Sequence, residues 1–490
     1  MREFKMVIGG DEVPSSDGAW IDAVDPFTGE TWARVPQATR DDVDAAVNAA
    51  QQAFVDTWQD APGHVRATAM FKLADLIEEN AGELARLEST DNGKVIRETS
   101  NQMKFAARNF RFFAGYADKI YGRTIPMDQA GVFDYTQRRP FGVAAIITAW
   151  NSPIALMANK VPAALAAGNC VVLKPSEHAS ATTCFFGALA KEAGFPDGVI
   201  SVVTGAGQVG AWLTEHPLVS KISFTGGSHT GSRIAKTAAE RLVPVTLELG
   251  GKSANIIFED ADLDKAIPGA VAGIFAAAGQ TCIAGSRLLV HRSVYEEVIG
   301  RLSARAGAIT LGNPLDPATE MGPIANRPQF DAISRIIADT RDAGARLVCG
   351  GGSPSGFTGP GLFIAPTIFA DVRPGDDLEQ NEVFGPVLAV VAFDDEAEAI
   401  RIANGTVFGL AAGLWTTDLS RAIRVADQLE AGAVWVNTYR ANGAQAPFGG
   451  IKQSGYGRER GEEALLEYTY VKNVMIDYSD AARDPFSVKV

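Results

Sequence analysis

Cysteine is scarce in this chain: four in 490 residues (Cys170, Cys184, Cys282 and Cys349), with no pair at CxxC spacing. That argues against a disulfide framework and against structural zinc. The five histidines (His64, His178, His216, His229, His291) lie equally far apart, so no metal site is expected. Positive charge is lacking as well. A net charge of −14, spread without an acidic tail, disfavours nucleic acid or an anionic membrane as a partner. No apolar run is long enough to span a bilayer; the Ala/Gly-rich stretch 267–279 comes nearest and reads as a buried helix. The opening MREFKMVIGG has no signal-peptide core, and the closing SVKV has no prenylation cysteine. A cytoplasmic location is the expectation. Fixed-period repeats and low-complexity linkers are also missing.

What is present is an ordinary globular balance, 46% hydrophobic and 21% charged, in a chain too long for one core. Helical periodicity covers 41–54 and 65–87. From residue 143 strands and helices alternate: strands at 143–148, 170–173, 199–203, 221–224 and 243–247, with helices at 153–167, 179–193, 209–214 and 232–240 between them. Apolar strands joined by helical crossovers predict an α/β fold with parallel sheets covered on both faces. A second α/β series follows Gly250-Gly251, with strands at 287–290, 387–393 and 433–437. The extended segments 122–139 and 468–477 fit neither series, and such orphans pair with each other or with a second subunit.

Several residues carry chemistry. Cys282 stands in GQTCIAG, where small neighbours leave its sulfur reachable; the other three cysteines read as inert core. Glu248, between two leucines at a strand end, is either a desolvated base or a partner of Lys252. Asn151 follows Trp150 at the C-terminal end of strand 143–148, where open sheets bind ligands. Its carboxamide either donates to a developing oxyanion or caps the next helix. Gly205-Ala206-Gly207-Gln208-Val209-Gly210 matches G-x-G-x-x-G after a strand, a weak signal in a chain with 50 glycines. Gly226-Gly227 after strand 221–224 opens a helix, a seat for a pyrophosphate. Lys174, Ser176 and Glu177 end another strand. Glu177 could accept from ribose hydroxyls and would repel a 2′-phosphate; the plain alternative is a solvated loop.

Taken in order, TAWNSP, LKPSE, FTGG, LELGGK, GQTC, EVFGPV and PFGGIKQSGYGRE resemble the aldehyde dehydrogenase family, over about 25–474. The spacing from Glu248 to Cys282 fits that family too. The resemblance implies Cys282 as nucleophile, Glu248 as the base for thioester hydrolysis, and Asn151 with the Cys282 N–H as oxyanion hole. It implies NAD as cofactor, held by Trp150, Lys174, Ser176, Glu177, Gly207, Phe224, Thr225, Gly226, Gly227, Leu249, Glu382 and Phe384, with NADP disfavoured by Glu177. Two positions depart from the family pattern: Gly227, where a serine is usual, and Asn381, where a glutamate is usual. The implied fold has two interleaved open parallel-sheet domains and a small β flap for oligomerisation. The expected divisions are 1–121 with 141–249 for NAD, 250–467 for catalysis, and 122–140 with 468–490 for the flap of a homodimer or homotetramer.

Ser152, Leu156, Asn159, Thr281, Ile283, Arg440, Asn442 and Phe448 resemble the family's aldehyde tunnel. Most are polar, and Arg440 could meet a carboxylate on the substrate, pair with an internal acid or face solvent. A polar aldehyde, carboxylated or ring-derived, is expected, with Cys282 ionising below the usual thiol range once cofactor is bound. The rivals are a coenzyme A-acylating relative, which Glu248 disfavours; a non-catalytic structural relative, which the three retained catalytic residues disfavour; and a thiol esterase, which leaves the glycine-rich loops without purpose.

Overall fold

The computed structural model describes residues 1–356, 358–480 and 486; the rest of the expected flap segment 468–490 lies outside the described residues. The first sheet has eight strands in the order Gly455–Tyr456, Val245–Glu248, Val219–Thr225, Val143–Ile147, Cys170–Lys174, Ile200–Val202, Met6–Ile8, Asp11–Val13. Its five central strands are parallel, and the central residues are fully buried, as apolar runs covered by helices on both faces require. The outermost strand on one side comes from far along the chain: Gly455–Tyr456 pairs antiparallel with Leu247 and Glu248.

The second sheet has seven strands ordered Arg346–Cys349, Thr367–Ala370, Val387–Phe393, Arg287–His291, Ala254–Ile257, Ala411–Trp415, Ala433–Val436. Each sheet has its own apolar core, so the two α/β series read from the sequence are two packed layers systems rather than one. The two orphan segments do pair with each other: Val132–Pro140 runs antiparallel to Thr469–Asp477 along its whole length, and Thr124–Ile125 adds a third strand. Among the described residues, no helix is long and apolar enough to cross a membrane, and no cluster of metal-ligating side chains occurs.

Two helical expectations change. The single helix expected over 65–87 is two, Gly63–Glu79 and Ala81–Asn92. They break at Asn80, whose side-chain amide donates to the Leu76 carbonyl at 2.8 Å and so competes with the backbone ladder. The amphipathic helix Ile96–Ala114, not anticipated, packs against both Gly63–Glu79 and the helix Pro153–Ala166.

The loop carrying Cys282 is an elbow. The helix Leu263–Phe275 ends, and Ala277, Ala278 and Gly279 all take left-handed backbone at φ 54°, 52° and 70°. Two alanines there cost roughly 1–2 kcal/mol each, so other contacts must hold them. The Glu98 carboxylate accepts from Ala277 N–H at 3.0 Å, and the Gln280 side chain accepts from Ala325 N–H at 2.9 Å. At Gly279 a Cβ would stand 2.0 Å from the Gly385 carbonyl oxygen, so only glycine fits. Gly279→Ala is therefore expected to displace the Cys282 loop and the 382–386 loop together. Turnover should fall at least about 100-fold while far-UV circular dichroism stays native; full activity would show that the loops are not so tightly fitted.

Candidate active site

A cavity of about 730 Å³ opens where the ends of the two sheets meet. Cys282, Glu248 and Asn151 all line it, brought from three separate elements. Asn151 sits just past the strand Val143–Ile147 and is buried; its Nδ2 donates to the Gln280 carbonyl at 3.0 Å, which sets the carboxamide against the cysteine loop. Close packing fixes the loop from the other side, since a Cβ on Gly251 would lie 2.5 Å from the Cys282 carbonyl oxygen. Cys282 is half-buried and lines the cavity, unlike buried Cys170 and Cys184. Desolvation pushes the Cys282 thiol up to about 12, with Glu248, Glu382 and Glu459 adding to the rise and Arg460 opposing it. Burial, reinforced by the neighbouring carboxyls, thus favours the protonated thiol at neutral pH.

Glu248 is buried and neither carboxylate oxygen has a hydrogen-bond partner among the described residues. Desolvation, then the like charge of Glu459, raises its pKa well above the carboxylate range; Lys160, Arg458 and Arg460 act in the opposite direction. The alternative of a Glu248–Lys252 pair is not what is found, for the Lys252 Nζ also lacks a partner. Instead a second buried pair, Lys160–Glu459, stands beside Glu248, with Lys160 also donating to Ser223 Oγ at 3.1 Å. Sequence reading missed both. The available signal was a lysine inside the otherwise apolar helix run ALMANKVPAALA.

Every cofactor residue expected from the sequence lines the same cavity. Gly227 caps the helix Ser228–Glu240 and nothing lies within 4 Å of where its Cβ would be, so that helix N-terminus is open to an anion. Gly231, in the first turn of that helix, serves packing, because a Cβ there would lie 2.5 Å from Leu249 Cδ2. Lys174 is buried, brought down to about 8 by desolvation, and donates to the Pro175 carbonyl at 2.9 Å. Glu177 and Ser176 stand half-exposed at the rim. At the other end Trp150 meets Phe384 edge to face at 5.3 Å, and Glu382 accepts from Gly251 N–H at 2.9 Å. Burial raises the Glu382 carboxyl to about 7. A helix N-terminus, a carboxylate at each end and an aromatic wall match the parts of a dinucleotide.

The tunnel positions fare differently. Of the eight, only Leu156 lines this cavity. Ser152 and Asn159 are polar for a structural reason. The Ser152 hydroxyl donates to the Asn151 carbonyl at 2.7 Å and accepts from buried Lys94, which Gln102 links to Glu88. Asn159 Oδ1 accepts from Arg460 Nε at 3.0 Å. Arg440 has no acid within ion-pair distance among the described residues; its one hydrogen bond goes to the Ala272 carbonyl at 3.3 Å. Asn442 donates to the Arg440 carbonyl, and Phe448 is buried beside the Arg460 guanidinium. Thr281 and Ile283 flank Cys282, with the Ile283 carbonyl accepting from Tyr439 Oη at 3.2 Å. Lys94 and Arg460, both unrecognised from sequence, are the cations these polar positions hold.

Comparison with known proteins agrees with this geometry. The aldehyde dehydrogenase family matches residues 13–474. A curated relative, the (Z)-2-((N-methylformamido)methylene)-5-hydroxybutyrolactone dehydrogenase of Acinetobacter baylyi, is 46% identical over the full length of both chains. A solved structure of a putative aldehyde dehydrogenase from Burkholderia cenocepacia superimposes with a TM-score of 0.97 at 42% identity, covering 99% of each chain. Betaine aldehyde dehydrogenase of Staphylococcus aureus, solved with NAD+, gives 0.97 at 38% identity over 99% of this chain and 97% of its own. With its two-sheet fold, its cysteine elbow and these relatives, this chain belongs to the aldehyde dehydrogenase family.

Proposed function

We propose that the protein oxidises a polar, carboxylated or ring-derived aldehyde to its acid with NAD, through a covalent adduct on Cys282. One observation carries the reading: a reachable thiol, a buried carboxamide and an unpartnered buried carboxyl converge on one cavity. Cys282 attacks the aldehyde carbon, and the negative charge that grows on oxygen is met by Asn151 Nδ2 and the Cys282 N–H, a donor pair typically worth several kcal/mol. When bound, NAD supplies the hydride acceptor and a cationic ring that favours the thiolate. The resulting thioester is hydrolysed by water that Glu248 deprotonates. Lys160 and Glu459 lie beside that carboxyl and give its proton somewhere to go.

Glu177, at the adenosine end, supports NAD over NADP because its charge opposes a 2′-phosphate. The Acinetobacter relative supports the substrate class, since a 5-hydroxybutyrolactone is the ring-closed form of an aldehyde that carries a carboxylate. The strand Thr469–Asp477 exposes Tyr470, Val471, Met475 and Ile476, which suits a contact with a second copy of the chain.

Three outcomes are expected. Without NAD, alkylation of Cys282 by iodoacetamide should stay slow through neutral pH, because burial holds the thiol near 12. Adding NAD should move its onset below the ordinary thiol range near ~8.5; an unmoved onset would count against thiolate activation. Glu248→Gln should retain a burst of NADH on mixing with aldehyde but lose steady-state turnover about 100-fold. Loss of the burst as well would place Glu248 in the first step, and a rate restored by coenzyme A in the wild type would favour the acylating reading. Arg440→Leu should lower kcat/KM for carboxylated aldehydes about 10-fold, and no change for any polar aldehyde would remove Arg440 from recognition.

A further inference from the structure

Arg460 is the residue that nothing so far accounts for. It lies at φ 60°, ψ 172°, a backbone region that is essentially glycine's, at a cost of about 1–3 kcal/mol. Its neighbours hold it there. Glu459 and Phe448 exchange two backbone hydrogen bonds at 2.7 Å, and Gly461 N–H donates to the Ala444 carbonyl at 2.9 Å. The guanidinium sits between two aromatic rings, 5.1 Å from the Phe105 centroid and 4.8 Å from that of Phe448. Asn159 accepts from Nε and fixes the plane of the fork. The two terminal nitrogens have no acceptor and no acid within ion-pair distance among the described residues. Glu459, the adjacent acid, is taken by Lys160.

The segment that carries the fork also borders the reacting groups. Gly449, next to Phe448 in the chain, borders Glu248, since a Cβ on it would lie 2.7 Å from Glu248 Oε1. Arg460 is close enough to both Cys282 and Glu248 for its charge to act on each. In a chain of net charge −14, an oriented and unpaired arginine beside the reacting thiol is built for an anion. The Arg440 guanidinium, by contrast, is bonded to the Ala272 carbonyl and is not held between the two aromatic rings found for Arg460. Lys94 is committed to Ser152 and to the acids Glu88 and Glu98 around it.

We propose that Arg460 is a specificity-determining residue that binds the carboxylate of the aldehyde substrate through its two free nitrogens, with Asn159 as the positioning residue. This rests on the aldehyde-oxidising reading above and narrows it: the substrate is a short aldehyde acid, presented open-chain or released from its hydroxylactone. The aldehyde end reaches Cys282 while the carboxylate takes the two free nitrogens of the fork.

The test compares 4-oxobutanoate with butanal, which share a chain length and differ in the carboxylate. In the wild type, kcat/KM for 4-oxobutanoate should exceed that for butanal by at least about 10-fold. In Arg460→Leu the ratio of the two kcat/KM values should fall about 100-fold, with Arg460→Lys recovering part of it. A ratio that stays within about 3-fold of wild type, or a wild type that prefers butanal, would overturn the assignment and leave aldehyde oxidation standing. If Arg460→Leu does not fold, Asn159→Leu serves, and its ratio should fall in the same direction through a raised KM for the acid alone. NADH formation with neither compound nor any other aldehyde would sink the oxidation itself, a different result from a changed preference.

Discussion

The return of segment 448–461 to the edge of the first sheet is the constraint on which the site depends. Gly455 and Tyr456 pair with Glu248 and Leu247, Leu249 N–H donates to the Ser454 carbonyl at 3.0 Å, and Ser454 Oγ donates to the Gly250 carbonyl at 2.7 Å. These contacts cover Glu248, and so help take its carboxyl out of water. They also deliver Glu459 and Arg460, which sit on the same short stretch. Gly455, at φ 112° with no room for a Cβ against the Leu247 carbonyl, shows how close the approach is. Without this return Glu248 would be an ordinary solvated strand-end acid.

Charge in the site is divided by position. Carboxyls gather where the cofactor and the hydrolytic step belong: Glu248, Glu382 and Glu459 all raise the Cys282 pKa. Cations gather toward the expected substrate end, namely Lys94, Arg440 and Arg460. The first group adds to the burial that already raises the Cys282 thiol. The second group offsets locally the net negative charge of the chain and would favour the approach of the anionic substrate proposed above. Burial makes both effects larger than the same charges would have on a surface.

Much of the fold was legible in the sequence, and so were the candidate residues that the structure brings to one cavity. Parallel-sheet strands announce themselves as apolar runs, and the punctuating glycines mark where strand ends and helix begins, so 143–249 could be laid out nearly residue by residue. The helix break at Asn80 was not legible, because a single side chain competing for the Leu76 carbonyl leaves the apolar period intact. Nor was the helix Ile96–Ala114, whose polar face hides its periodicity.

Sequence alone picked out Cys282, Glu248 and Asn151 as candidates, and the family resemblance of their motifs, rather than local setting, supplied a role for each. Local context cannot report which distant groups share a buried volume, and it was there that tertiary structure decided. Ser152 and Asn159 looked like polar tunnel walls; folded, they are the acceptors that orient Lys94 and Arg460. Arg460 itself, one charge in a run of charges, acquires meaning only when Phe105, Phe448 and Asn159 close around it from three other parts of the chain. Charge pairing is a property of distances below about 4 Å, and those distances are set by the packing of the two sheets, not by neighbours in sequence.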